Sequence, residues 1–233
     1  MMNDLLRDMI ERGEVAAFIN NMMIVTETEK RHDEIMEEVL RRMEENNLFV
    51  KLEKYVWKVR KVGFLGVIIG PDGVRMEKKK IQGVVDWLVP RSVKDVQKFL
   101  GLANYYRQFV KDFAKIEKLL HEMTRKEIKW NWREKQQKVF EELKKRFTIK
   151  PVLVIPDLDR EMRVEVDVLD FATGRVLLMK YEDEKWRQVT YISKLLNEVE
   201  RNYKIHNKEM LAIIWCLEVW RHFLEGARDK QIV

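Results

Sequence analysis

The spacing of apolar positions divides the chain into a hairpin-rich start, a helical middle and a second sheet. Residues 3–12 read as a short helix stopped by Gly13, and residues 15–25 as two strands meeting at Asn20-Asn21, a dipeptide that tolerates the positive φ of a tight hairpin turn. A helix is predicted over about 28–45, with Ile35, Val39, Leu40 and Met43 on one face. In "VGFLGVIIGPDGVRM" two glycine-broken strands are predicted to join at Pro71-Asp72-Gly73. From Ser92 the period turns helical: Val93, Val96, Phe99, Leu100, Ala103, Tyr106 and Val110 form a stripe, and Ser92 with Asp95 reads as a capping box. Helices over about 112–123 and 133–147 follow.

Beyond Pro151 and Pro156, "EMRVEVDV" alternates, with Met162, Val164, Val166 and Val168 facing one way and Arg163, Glu165 and Asp167 the other. Strands are predicted at 174–181 and 187–192. A helix over about 206–225 is expected to bury Met210, Ile213, Ile214, Leu217, Trp220 and Leu224 and to end at Gly226.

Composition adds that a core can form, with 46% hydrophobic residues in 233. The lone Cys216 excludes a disulfide within the chain and Cys-based zinc sites, and His32, His121, His206 and His222 lack metal-ligand spacing. No run suits a bilayer span or a secretory leader, so an intracellular setting, cytoplasmic or nuclear, is expected. The net charge of +6 is concentrated: residues 75–126 hold 13 Lys/Arg against 6 Asp/Glu, and Lys94, Lys98, Arg107 and Lys111 lie off the apolar stripe. Such a segment suits a phosphate backbone or a solvated helical face.

Three stretches in fixed order, "AFINN", "VGFLGVIIGPDGV" leading to "SVKDVQKFLGLANYYRQFVKDF", and "RVEVDV" followed by "YISKLLNEVERNYKIHNKEMLAIIWCLEVWRHFLEG", resemble the reverse transcriptase and ribonuclease H segments of gypsy-class long-terminal-repeat retrotransposon polyproteins. The resemblance implies an α+β chain: the end of a polymerase palm at 1–74, helical thumb at 75–129, and an incomplete ribonuclease H-like α/β domain at 130–233. It also implies a template-primer duplex of RNA or DNA as partner. Phe64, Leu65 and Gly66 would lie in the hairpin that grips the primer end, and Lys94, Lys98, Arg107 and Lys111 would be the phosphate contacts of the thumb.

In this family the first hairpin carries Tyr-x-Asp-Asp, whose carboxylates help hold magnesium; here Phe18, Ile19, Asn20 and Asn21 stand in those places. Neutral amides cannot supply the charge that a hard dication requires. On the ribonuclease H side, Asp167 and Glu209 match two carboxylate positions, where weak magnesium binding is the most that is expected, and a further one is implied on a strand starting near "KQIV". Arg175 stands where relatives tend to have a small residue, and its cation is expected to discourage a metal. Plainer readings stay open: a simple turn at Asn20-Asn21, an edge-strand Asp167, a helix-dipole Glu209.

The resulting expectation is a catalytically inactive relative that retains non-specific nucleic-acid binding; the alternative is a domesticated, non-enzymatic protein-interaction module. Tyr106 and Phe109 are expected to be buried. About three strands are counted in the last domain, so an open sheet edge and self-association through it are also expected.

Overall fold

A computed structural model of the chain describes residues 2–19, 21–126, 128–149, 152–227 and 229–233. It forms two compact units, Met1–Pro71 and Asp72–Val233.

In the first unit, the predicted opening helix is two short ones, α1 (Met2–Leu5) and α2 (Arg7–Glu11), followed by Gly13 at φ +74°. Strands β1 (Val15–Phe18) and β2 (Asn21–Ile24) pair antiparallel, and α3 (Glu29–Glu45) starts where the Thr28 side chain accepts the Arg31 N–H. Leu6, Met9 and Val15 pack with Ile35, Val39 and Met43 as the core of this unit, while Leu40 is half-buried. Arg42 of α3 grips both oxygens of Asp8 and donates to the Leu5 carbonyl at 3.0 Å, tying the helices together.

The segment predicted as the second hairpin holds three strands rather than two. The turn expected at Pro71-Asp72-Gly73 is present, after β4 (Val67–Gly70), and a further turn at Leu65-Gly66, which the sequence pattern did not show, joins β3 (Val62–Phe64) to β4. Leu65 at φ +50° and Gly66 at +80° supply the two left-handed residues that a two-residue turn needs.

The second unit opens with β5 (Gly73–Met76), which bridges the segment at Leu153 through Val74 N–H to the Leu153 carbonyl at 2.7 Å and the reciprocal bond at 2.9 Å. Helix α4 (Lys78–Val85) escaped the sequence pattern, being short, interrupted by Gly83 and buried only at Ile81 and Val84. Helix α5 (Val93–Tyr105) has its predicted cap: Ser92 Oγ accepts the Asp95 N–H and donates to the Asp95 carboxylate at 2.9 Å. Val96, Phe99, Leu100 and Ala103 are buried, as are Tyr106, Phe109 and Val110 beyond the helix. Phe99 meets Phe140 at 4.7 Å between ring centroids, joining α5 to α7 (Glu134–Thr148). Between them in sequence lies α6 (Phe113–Glu122).

The sheet has four strands, β6 (Met162–Val168), β7 (Ala172–Lys180), β8 (Trp186–Leu195) and β9 (Lys230–Ile232), in the order β8-β7-β6-β9. Its antiparallel part matches the predicted alternation. The expected strand count is corrected: a fourth strand, β9, runs parallel along Met162–Val164, so the sheet ends on the exposed β9 rather than on β6 at that stretch.

One sheet face carries Val164, Leu177 and Met179 and is covered by α9 (Ile205–Val219) and α10 (Arg221–Leu224), which follow the short α8 (Glu198–Arg201). The predicted α9 stripe is corrected too. Lys208, Ala212, Cys216, Trp220 and Leu224 are buried, Ile213 is half-buried, and Met210, Ile214 and Leu217 face solvent. A helix apolar nearly all round gives periodicity no face to choose, and the small Ala212 and Cys216 let the backbone approach the strands closely.

The opposite face is covered by α6. The Ala114 N–H donates to Ser193 Oγ at 2.8 Å, the Asp112 carboxylate lies over Gly174 where a Cβ would collide with it, and Lys118 sits 4.1 Å over the Phe171 ring. Glu117 on this helix is partly buried with no ion pair among the described residues, and burial pushes its carboxyl up to about 7. A carboxyl whose folded pKa lies above its ordinary 4.5 favours folding fully below about pH 4.5, and that contribution is lost as pH rises through about 7. Glu117→Gln is therefore expected to leave stability near pH 5 little changed and to raise it by about 1–3 kcal/mol at pH 8. Urea titrations of both proteins at the two pH values check this; an equal change at both counts against it.

Candidate nucleic-acid interface and metal positions

The first hairpin turns one residue earlier than its sequence suggests. Phe18 pairs with Asn21, so Asn21 is the first residue of β2 and an exposed Ile19, at φ +54°, begins the turn. Asn20 lies outside the described residues. At this tip Asn21 offers a neutral amide where the resemblance implies a carboxylate, and a hard divalent cation gains too little from it.

Asp167 and Glu209 are both exposed, and the pleat separates them. Asp167 pairs with Gly174, itself opposite Ser193, which places it on the face covered by α6. Glu209 rides on α9, against the other face. Among the described residues no group of three or more His, Cys, Asp or Glu side chains could hold a metal ion. Among the described residues, the donor set at the hairpin and at the sheet does not fit the magnesium that the resemblance implies.

Arg175 pairs with Val166 and so points away from Asp167, into the α9 side, where it is 4% exposed. Its Nη2 donates to Thr173 Oγ1 and its guanidinium lies 4.9 Å from the Trp215 ring centre, while Nε has no partner among the described residues. The expectation that it repels a metal at Asp167 is thus replaced by a buried cation in the α9 interface. Nearby Cys216 is inert, since burial pushes its thiol up to about 11.

The basic surface is better assembled. Lys94 and Lys98 lie one turn apart on the solvent side of α5, Arg107 donates to Asn104 at 3.1 Å, and Lys111 is exposed. None of the four makes an ion pair among the described residues, so their charge is available to an anion. Gln97, Gly101 and Tyr105 run down the exposed side of α5 at four-residue spacing, and a side chain at Gly101 would meet nothing within 4 Å. A glycine there weakens the helix by about 1 kcal/mol and leaves its backbone open to close approach. The sequence signal was a glycine inside a capped amphipathic helix, outside its apolar stripe. Phe64, Leu65 and Gly66 form the β3–β4 turn and are half-buried, within the first unit.

Comparison with known proteins now defines the class. The family described as "Reverse transcriptase (RNA-dependent DNA polymerase)" matches residues 1–69, and "RNase H-like domain found in reverse transcriptase" matches residues 132–232. The Tf2-7 transposon polyprotein of Schizosaccharomyces pombe is 31% identical over 217 residues, covering 93% of this chain, and the Tf2-3 polyprotein is 30% identical over 216 residues. The chain spans 16% of the length of these relatives. Among solved structures, the foamy viral protease-reverse transcriptase in complex with RNA/DNA hybrid gives a TM-score of 0.83 at 20% identity, covering 99% of this chain and 31% of that one. The same viral protein with dsDNA gives 0.80 at 21% identity, covering 99% and 47%. Fold and order of elements are those of a retroelement reverse transcriptase followed by a ribonuclease H-like sheet. The chain belongs to the reverse transcriptase and ribonuclease H-like family of gypsy-class retrotransposon polyproteins.

Proposed function

We propose that this chain is a nucleic-acid-binding member of its family that does not itself polymerise or cleave. The observation that carries the proposal is the hairpin tip, where Asn21, with Asn20 before it in sequence, replaces the carboxylate pair on which magnesium-dependent nucleotidyl transfer depends. The placement of Asp167 and Glu209 toward different faces of the sheet supports the same reading for hydrolysis. Retained binding draws on Lys94, Lys98, Arg107 and Lys111, and on the open backbone at Gly101, a surface suited to the groove and phosphates of a duplex. The related viral enzyme was solved with RNA/DNA hybrid and with dsDNA. Phosphate contacts of this kind hold a duplex without reading its sequence.

The test has two arms. Primer extension on an RNA template with magnesium or manganese is expected to give no templated incorporation, and an RNA/DNA hybrid is expected to remain uncut. In a salt titration of duplex binding, changing Lys94, Lys98, Arg107 and Lys111 together to Gln is expected to flatten the slope of log K against log salt by about 3–4. Incorporation by pure protein overturns the inactive reading, and an unchanged slope overturns the binding surface. The second reading, an interaction module for another polypeptide, draws on the exposed Met210, Ile214 and Leu217 of α9; it would gain if the chain bound no duplex at any salt.

A further inference from the structure

Segment 49–61, which leads into β3, combines two properties that rarely meet on one strip of surface. It has no regular structure apart from one 3-10 turn at Leu52–Lys54, and it leaves large apolar groups in water: Phe49 at 90% exposure, Val56 at 65% and Trp57 at 41%. Interleaved with them, residues 51–61 carry Lys51, Lys54, Lys58, Arg60 and Lys61 against the single Glu53. Lys58 pairs with Asp33 at 2.6 Å, whereas Lys51, Lys54 and Arg60 are exposed and form no ion pair among the described residues. The Tyr55 and Trp57 rings are stacked, 5.5 Å apart and 24° from parallel, with Tyr55 half-buried.

An apolar surface of this kind has a use when something covers it, and the charge decides what. A polypeptide partner would have to be strongly acidic and aromatic-binding at once. A nucleic-acid strand meets both requirements, because every base has a flat face and every nucleotide a negative charge. In a duplex those faces are already stacked on one another, so the available form is single-stranded.

We propose that residues 49–61 form a separate site for single-stranded nucleic acid, in which Trp57, backed by Tyr55, and Phe49 stack on bases while Lys51, Lys54 and Arg60 hold the phosphates. The site takes any sequence, since stacking does not read base edges. It rests on the nucleic-acid reading above but uses residues distinct from the α5 surface, and it would serve the unpaired part of a strand whose paired part is bound elsewhere.

The experiment compares a labelled oligothymidylate, which forms no duplex, with a blunt-ended duplex, using the full chain. Phe49→Ala with Trp57→Ala is expected to weaken oligothymidylate binding by about tenfold or more, from the loss of two stacking faces, and to leave duplex affinity unchanged. Trp57→Phe should keep most of the affinity. Lys51→Gln with Lys54→Gln should flatten the salt slope for the single strand by about 1.4. Changes at Lys94 and Lys98 should do the reverse, weakening the duplex and sparing the oligothymidylate. A double alanine variant that binds oligothymidylate as the parent does, or loses both ligands equally, overturns the proposal. So does one whose only change is reduced self-association in sedimentation, which would make the strip a contact between copies of the chain. If the parent binds oligothymidylate but no duplex, the duplex-binding part of the proposed function fails while the site at 49–61 stands.

Discussion

Replacing Arg175 with Met is expected to stabilise the protein by about 1–4 kcal/mol. The guanidinium is enclosed between β7 and α9 with one nitrogen lacking any partner and no carboxylate in contact among the described residues, and burial pulls its pKa below the usual arginine value. The Trp215 face and one hydroxyl offset only part of the lost hydration. Met has a comparable length, carries no charge and keeps a soft contact with the indole. Thr173 loses its partner, which takes back about 1 kcal/mol, and adding Thr173→Val should recover it. Urea unfolding followed by circular dichroism reads the change as a higher midpoint at equal slope; a lower midpoint would mean that the cation is held by contacts outside those described.

Gly73→Ala is expected to do the opposite, at a cost of about 3 kcal/mol. Gly73 stands at φ +114°, a conformation that residues with a Cβ rarely adopt, and a Cβ there would lie 2.2 Å from the Leu153 carbonyl oxygen. That oxygen accepts the Val74 N–H, so it cannot withdraw without breaking the bridge between β5 and the strand-like segment at Leu153. Thermal unfolding of the variant should begin at a lower temperature, with the bridge amides losing protection in hydrogen exchange. A variant with unchanged midpoint would show that this turn can shift as a body.

The same glycine illustrates how far the sequence carries. Pro71-Asp72-Gly73 reads as a turn from local chemistry, but the approach of Leu153, eighty residues away, leaves no mark near Gly73. Local signals served well wherever the cause is local: the Ser92 cap, the α5 stripe and the strict alternation of β6 all stand as predicted. They failed where the deciding contact is distant. The buried face of α9 follows from the fit of Ala212 and Cys216 against the sheet, and nothing in its nearly uniform apolarity announces it. The tip of the first hairpin closed one residue early, with Ile19 in a left-handed conformation that turn statistics assign to Asn or Gly. As for the sites, the basic residues of α5 are solvent-facing as the stripe implied, since exposure follows from helical period alone. The mutual placement of Asp167 and Glu209 depends on which sheet face α9 takes, which no spacing within either segment encodes.

The parallel pairing of β9 with β6 has a kinetic consequence. Met162 finds its partner only at Lys230, sixty-eight positions later, and the contact joins neither a hairpin nor neighbouring helices. Closing so long a loop exacts its entropy before the strand pair forms. During synthesis β6, β7 and β8 emerge first and can assemble as a meander, while the far side of β6 waits with unpaired backbone groups until residues 230–232 arrive. The interval in which this chain is most exposed to wrong pairing is thus set by translation, and a slower ribosome at residues 196–230 would lengthen it.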